Sequence, residues 1–341
     1  MMLRLSLGAA AVALRLSGPG APMEVTVRQV PQVPGGFSPS GGARDLVSTM
    51  QLTAVDEKAF GGISGLRVLD NEQFVAITDR GMWLQGQLPL LSPGNTTEVT
   101  ISTRTGEIKE LVEGTEAHLV DAESIALDPD GGYWVSFEEL EKVSIAKYTN
   151  TMQPVIDKQV NWRCFKDRPD PGIEAIAVIT LDGAPHLVAI CEGERGMSSS
   201  MSFAAPVSDL SKVRSFRMKH THDYQVAGLA SVPGQPDMAL LLLRRYDFGP
   251  GPEVIVQELK LAGAGDTVHV GERREVLRVS MSMPSMVAEN YEGISVYTDT
   301  TGRTFLALVS DDNFSPCQRS LVSLFRYHIG GRPEPARRSL L

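Results

Sequence analysis

The sequence predicts an all-β protein built as a β-propeller, and three observations point there. One phrase recurs five times: "GGISGLRVLDNEQFVAITDRG" (61–81), "ESIALDPDGGYWVSFEE" (123–139), "EAIAVITLDGAPHLVAICEGERG" (174–196), "AGLASVPGQPDMALLLLRRYD" (227–247) and "EGISVYTDTTGRTFLALVSDDN" (292–313). Each copy opens on an acidic or small residue, passes through two short apolar strands split by a polar turn, and closes on charge. Turns such as "DPDGG", "LDGAP", "VPGQPD" and "TDTTGR" follow hairpin rules, and no segment carries a capped 3.6-residue period.

Along the chain, residues 1–24 resemble a secretory signal. Arg4 gives a positive start, 5–14 an apolar core and 18–22 a helix-breaking end, although Arg15 interrupts the run and no A-x-A site follows. Residues 43–55 alternate, with Leu46, Met50, Leu52 and Ala54 on one side. The copies then begin at Gly61, Glu123, Glu174, Ala227 and Glu292, a loose period of roughly 50–65 residues. Segments 97–112, 142–149, 211–218 and 252–262 also read as strands, so each unit holds about four, the size of a propeller blade.

Four short strands cannot bury both faces of their sheet alone; packing sheets around an axis does. Circular closure requires the last unit, left only 320–329 after its hairpin, to take its outer strand from 43–55. One domain is expected over 43–329, with a tail at 330–341. Five blades is the expected count, and six follows if the long fourth unit hides a degenerate blade. A two-domain β-sandwich is the alternative, but it gives no reason for the recurring charge.

A hydrophobic content of 42% and a charged content of 21% belong to a soluble globular chain. The net charge of −9 argues against a nucleic-acid surface, which requires a basic stripe. No later stretch approaches the roughly 18 apolar residues of a membrane span, so a periplasmic or secreted location is expected. Cys164, Cys191 and Cys317 lack metal-ligand spacing. Export would let Cys164 pair with Cys191; three buried thiols is the alternative. Nothing in the sequence fixes the oligomeric state.

Antiparallel hairpins set the start of a first strand beside the end of the second, so opening and closing charges share one rim. Glu123, Glu174 and Glu292 form an expected inner ring, with Gly61 and Ala227 as silent members and Ser64 and Ser295 one pleat further in. The outer ring holds Asp79, Arg80, Glu138, Glu139, Glu192, Glu194, Arg195, Arg244, Arg245, Asp311, Asp312 and Asn313. Converging carboxylates need compensation. Oxygen-only donors suit Ca²⁺, expected on the axis and held by Glu123, Glu174, Glu292 and Ser64. The alternative pairs those glutamates with Arg80, Arg195 or Arg244.

Arginine forks suit phosphate or carboxylate, which points to a small anionic ester or phosphoester. Candidate catalytic groups are Asp79, Arg80, Glu138, Glu192, Arg195, Arg244, Asp311 and His118, with His220 and His222 of "KHTHDYQ" as second bases. A solvated loop position is the alternative for each histidine. The serines of "GMSSSMSF" (196–203) read as a loop after the third unit. Nucleophile-elbow, Walker and Rossmann motifs are absent from the sequence.

The stretches "GGISGL…VAITDRG", "DAESIALDPDGGYWVSFEE" and "NYEGISVY…FLALVSDDNF" resemble the phytase-like family described as having esterase-like activity, over most of 57–329. The resemblance implies a β-propeller and a hydrolase of ester or phosphoester bonds. Lysine is scarce in the rings, unlike in the calcium-dependent propeller phytases. The radial placing of one Glu or Ser per unit is similar to that in five-bladed calcium-activated nucleotidases.

Overall fold

A computed structural model of the protein describes residues 20–30, 43–54, 60–89, 98–108, 121–138, 143–165, 172–193, 196–247, 251–280 and 288–331. Every strand pairing in it is antiparallel, and among the described residues the only helix is a short 3₁₀ turn at Ile329–Gly331. The chain opens with β1 (Ala21–Gln29) and β2 (Ala43–Ala54), and the first repeat gives β3 (Ile63–Val68), β4 (Gln73–Thr78), β5 (Met82–Gln87) and β6 (Glu98–Glu107). The second gives β7 (Asp121–Leu127), β8 (Tyr133–Glu138), β9 (Ile145–Tyr148) and β10 (Pro154–Val160). The third gives β11 (Ile173–Leu181), β12 (Ala184–Cys191), β13 (Ser199–Pro206) and β14 (Arg214–Lys219). The fourth gives β15 (Gln225–Val232), β16 (Gln235–Asp247), β17 (Gly251–Ala264) and β18 (Thr267–Ser280). The fifth supplies β19 (Asn290–Thr298), β20 (Thr304–Asp311) and β21 (Leu321–Tyr327).

The middle three repeats are four-stranded sheets; the first and fifth join in one nine-stranded sheet. That union has two parts. As closure requires, β2 pairs with β21 and completes the fifth unit. The second part lies outside the sequence expectation: β1 pairs with β2 on one side and β6 on the other, tying the outer edges of two units together. It falls before residue 43 and overlaps the end of the expected leader. The serines of 199–203, expected in a loop, lie in β13.

Apolar clusters fill each space between consecutive repeats, including that between the first and the fifth. Within a strand, alternate residues serve opposite clusters: Leu240 and Leu242 face the fifth repeat, Ala239, Leu241 and Leu243 the third. Sheets buried on both faces explain runs such as "MALLLL". The innermost strands touch in the closed order β3, β7, β11, β15, β19, β3.

One irregularity repeats in every innermost strand. The register slips at Ser64, Glu123, Glu174, Ala227 and Glu292, each an extra residue against its partner strand. Apolar neighbours therefore reach the same cluster three residues apart rather than two, as with Ile63 and Leu66, Ala122 and Ile125, or Tyr291 and Ile294. A β-bulge re-aims the extra side chain out of the alternation. Ser64, not Gly61, is thus the first repeat's equivalent of Glu123.

The residue after each bulge is small (Gly65, Ser124, Ala175, Gly228, Gly293), and at the three glycines a neighbouring repeat comes within 3.2 Å of where a Cβ would sit. A Cβ on Gly293 would lie 3.0 Å from the Ser64 carbonyl oxygen and against Val309. Hydrogen bonds cross the same seams: Val68 N donates to Ser295 Oγ at 2.9 Å and Ile176 N to Ser124 Oγ at 3.2 Å. Ser295 therefore ties two repeats together. Gly293→Ala is expected to cost about 1–3 kcal/mol by overpacking, read as a lowered urea midpoint with unchanged m-value.

Candidate functional site

Each hairpin brings its bulge to the same end as its closing charges. Asp121 stands opposite Glu138, Gln225 opposite Arg244 and Asn290 opposite Asp311. Asp121, Glu123 and Glu138 each place a ligand atom within 4.8 Å of the others, a grouping able to hold a metal ion. Burial first, then Glu174, Asp121 and Glu138, pushes the Glu123 carboxyl well above its ordinary value. Glu174 is buried and also raised, by burial foremost; Arg244 opposes this, while Glu192, Glu138 and Asp121 add to it. Glu123 and Glu174, distant in the sequence, thus act on each other through space, and Asp121, outside the expected set, acts on both.

The third expected inner glutamate sits differently. Arg244 ion-pairs with Glu292, and its other amine lies 3.3 Å from Glu192. Asn290 Nδ2 donates to Glu292 at 2.7 Å. Glu292 thus follows the arginine-paired alternative. Glu192 is raised by burial, against the pull of Arg244. Ser64 is buried, its hydroxyl donating to the Gly62 carbonyl at 3.3 Å.

Across the mouth, Asp79 is raised to about 7, by burial first, then by Asp311 and Asp121, with Arg80 opposing. Asp311 is raised to about 6 by burial, against the hydrogen bond it accepts from Asn313 N at 2.7 Å. Asp312 is structural: it accepts from Gly62 N, Phe314 N and Ser320 Oγ at 3.0, 3.1 and 2.8 Å. The Arg80 guanidinium lies 3.2 Å from the centre of the Phe314 ring. Arg245 turns from the mouth to Glu253, 2.6 Å away. His118, Glu139, Glu194 and Arg195 lie outside the described residues.

Cys164 and Cys191 form a disulfide with Cα atoms 5.9 Å apart; Cys317 is free and exposed. Among the described residues no helix is long and apolar enough to cross a membrane.

A family model described as phytase-like, esterase-like activity of phytase, matches residues 58–314. No curated protein sequence matches the chain. Among solved structures, the major allergen Mala s 1 of Malassezia sympodialis is 14% identical, with a TM-score of 0.44 over 83% of this chain and 87% of that one. The endo-arabinase of Bacteroides thetaiotaomicron is 9% identical, with a TM-score of 0.41 over 78% and 96%. The Cps50 (Swd1) β-propeller domain of Myceliophteria thermophila is 11% identical, with a TM-score of 0.39 over 89% and 100%.

Proposed function

The chain belongs to the phytase-like family, esterase-like activity of phytase, and from that premise we propose an exported, five-bladed propeller hydrolase. It cleaves an ester or phosphoester of a small anionic molecule at the acidic mouth. One observation carries this: Asp79, Asp121, Glu123, Glu138, Glu174, Glu192 and Asp311, from four of the five repeats, act on one another through space. Such a cluster is costly unless a cation or protons compensate it. The blade count draws on the closed cycle of inner strands, and export on the disulfide.

Asp121, Glu123 and Glu138, with Glu174 beside them, would hold a divalent cation, and an all-oxygen donor set suits calcium. When bound, such an ion polarises a phosphoryl or acyl oxygen. Asp79, with a pKa of about 7, is matched to take a proton from an attacking water at neutral pH. Arg80, its guanidinium over the Phe314 ring, presents its donor fork to the anionic oxygens of the substrate. Arg244 holds Glu292 and Glu192 in place by ion pairing. The competing reading is a non-catalytic ligand-binding propeller, favoured by the Arg244–Glu292–Asn290 network, which gives Glu292 a structural role.

A panel of phosphoesters tests the proposal. Turnover is expected in calcium and abolished by EDTA, with Asp79→Asn lowering kcat about a hundredfold and leaving KM near the parent value. A panel without calcium-dependent turnover would leave the binding reading standing.

A further inference from the structure

Beside the Glu192 edge of the mouth, two motifs from successive strands meet: the serines of "GMSSSMSF" and His220 of "KHTHDYQ", with Ser200 and His220 20 residues apart in the sequence. Ser200 on β13 and His220, just past the paired β14, are both buried, and Ser200 Oγ lies 3.1 Å from His220 Nε2. The other ring nitrogen, Nδ1, lies 3.1 Å from the carbonyl oxygen of Thr221. A carbonyl can only accept, so Nδ1 carries the proton and Nε2 the lone pair. The single Ser200 hydroxyl proton is therefore shared between two acceptors, Nε2 at 3.1 Å and, further off, the Glu192 carbonyl oxygen at 3.3 Å. Thr221 is held in turn by Gln257, whose Nε2 donates to its Oγ1 at 2.9 Å. Burial lowers the imidazole below its ordinary value, with the Thr221 bond opposing and Arg273 reinforcing. His220 is a neutral base near pH 7.

Nucleophile, base and orienting acceptor in this order form the arrangement that activates a serine. Ser200 is shielded from the outer surface but lines a cavity. Gly193 and Ser200 both belong to the wall of a cavity of about 660 Å³. A methyl on Gly193 would sit 2.5 Å from Ser200 Oγ, and the residue's φ of +86° favours glycine besides. Arg217 shares that wall with Phe165, Met201 and Phe203, so it offers both an anion donor and apolar surface.

We propose that Ser200 is a nucleophile activated by His220, cleaving carboxylic esters that carry an apolar group and a negative charge. The Oγ–H proton passes to Nε2 as Oγ bonds to the ester carbonyl carbon. The bond from that carbon to the alkoxy oxygen breaks, and the departing alcohol takes the proton from Nε2. Water then cleaves the acyl-serine by the same proton path in reverse. No metal takes part, so the chemistry differs from that at the acidic mouth, although Ser200 Oγ lies 3.3 Å from the backbone carbonyl oxygen of Glu192.

The test is run in EDTA, where failure of the metal-assisted proposal cannot influence it. The full chain is treated with a fluorophosphonate probe, digested and mapped by mass spectrometry. One adduct is expected, on Ser200, as an Oγ–P bond replaces P–F and HF departs. Ser200→Ala should abolish labelling and the EDTA-resistant hydrolysis of 4-nitrophenyl butyrate at an unchanged melting temperature. His220→Gln should slow labelling about a hundredfold or more. No adduct on the parent, an adduct only at another residue, or equal labelling of His220→Gln would overturn the proposal. Mapping on the parent decides the matter even where a variant fails to fold.

Discussion

Arg244→Ala is expected to be the most damaging single substitution at the mouth, costing about 3–5 kcal/mol at pH 7.5 without divalent cations. Arg244 is half-buried and bonds Glu292, Glu192 and Asn290, residues of two different repeats. It also opposes the charge repulsion acting on Glu174 and Asp311. Its removal leaves those carboxylates facing one another with their nearest cation gone, so the loss comes from uncompensated charge more than from missing contacts. Arg244→Lys should recover only part of it, because one ammonium cannot span the same partners. Adding Glu292→Gln to Arg244→Ala should return part of the stability, a coupling read from a double-mutant cycle in urea. Additive costs would mean that the arginine contributes by packing alone.

Metal-free stability is expected to fall as pH rises from about 4 to 7, the reverse of the trend for salt-bridged carboxylates. Asp311 titrates near 6 and Asp79 near 7 in the fold, both above the ordinary aspartate value of 3.8. Below about pH 4 both are protonated, folded or unfolded, and contribute nothing. Between there and the folded values the unfolded chain has released protons that the native state still holds. Rising pH therefore favours unfolding until the native groups ionise too. Asp311 alone accounts for about 3 kcal/mol; Asp79, only partly buried, adds less than its shift suggests. Thermal melts in EDTA across this range would show the slope, and a flat or rising profile would remove the buried acidic cluster as its cause.

Much of the fold was legible because the physics of a two-sided sheet writes itself locally. Runs such as "MALLLL" and turns such as "DPDGG" mark strands and hairpins without knowledge of any partner. Closure by β2 was readable because the fifth repeat ran out of strands. The bulge was legible in principle: an apolar residue, then Ser, Glu or Ala, then a small residue, with apolar anchors three apart. Alignment on Gly61 hid it, because a period-2 expectation cannot place a residue that breaks the alternation. Asp121 was missed since its importance lies in standing opposite Glu138. β1 was hidden by Pro22, Glu24 and Arg28, residues typical of an edge or loop, although the strand is paired on both sides. The pairing of Glu292 with Arg244 and that of Ser200 with His220 depend on three-dimensional neighbours, for which the sequence holds no local signal.

The most direct measurement is the melting temperature of the parent and of Glu123→Gln at pH 7.5, with and without calcium. Calcium at a hundredfold excess over its dissociation constant should stabilise the parent by about 2.7 kcal/mol. Glu123→Gln, relieved of one buried like charge, should melt higher than the parent in EDTA and gain little from calcium. A parent indifferent to calcium, or a variant that responds to it as fully as the parent, would contradict a cation held by Asp121, Glu123 and Glu138.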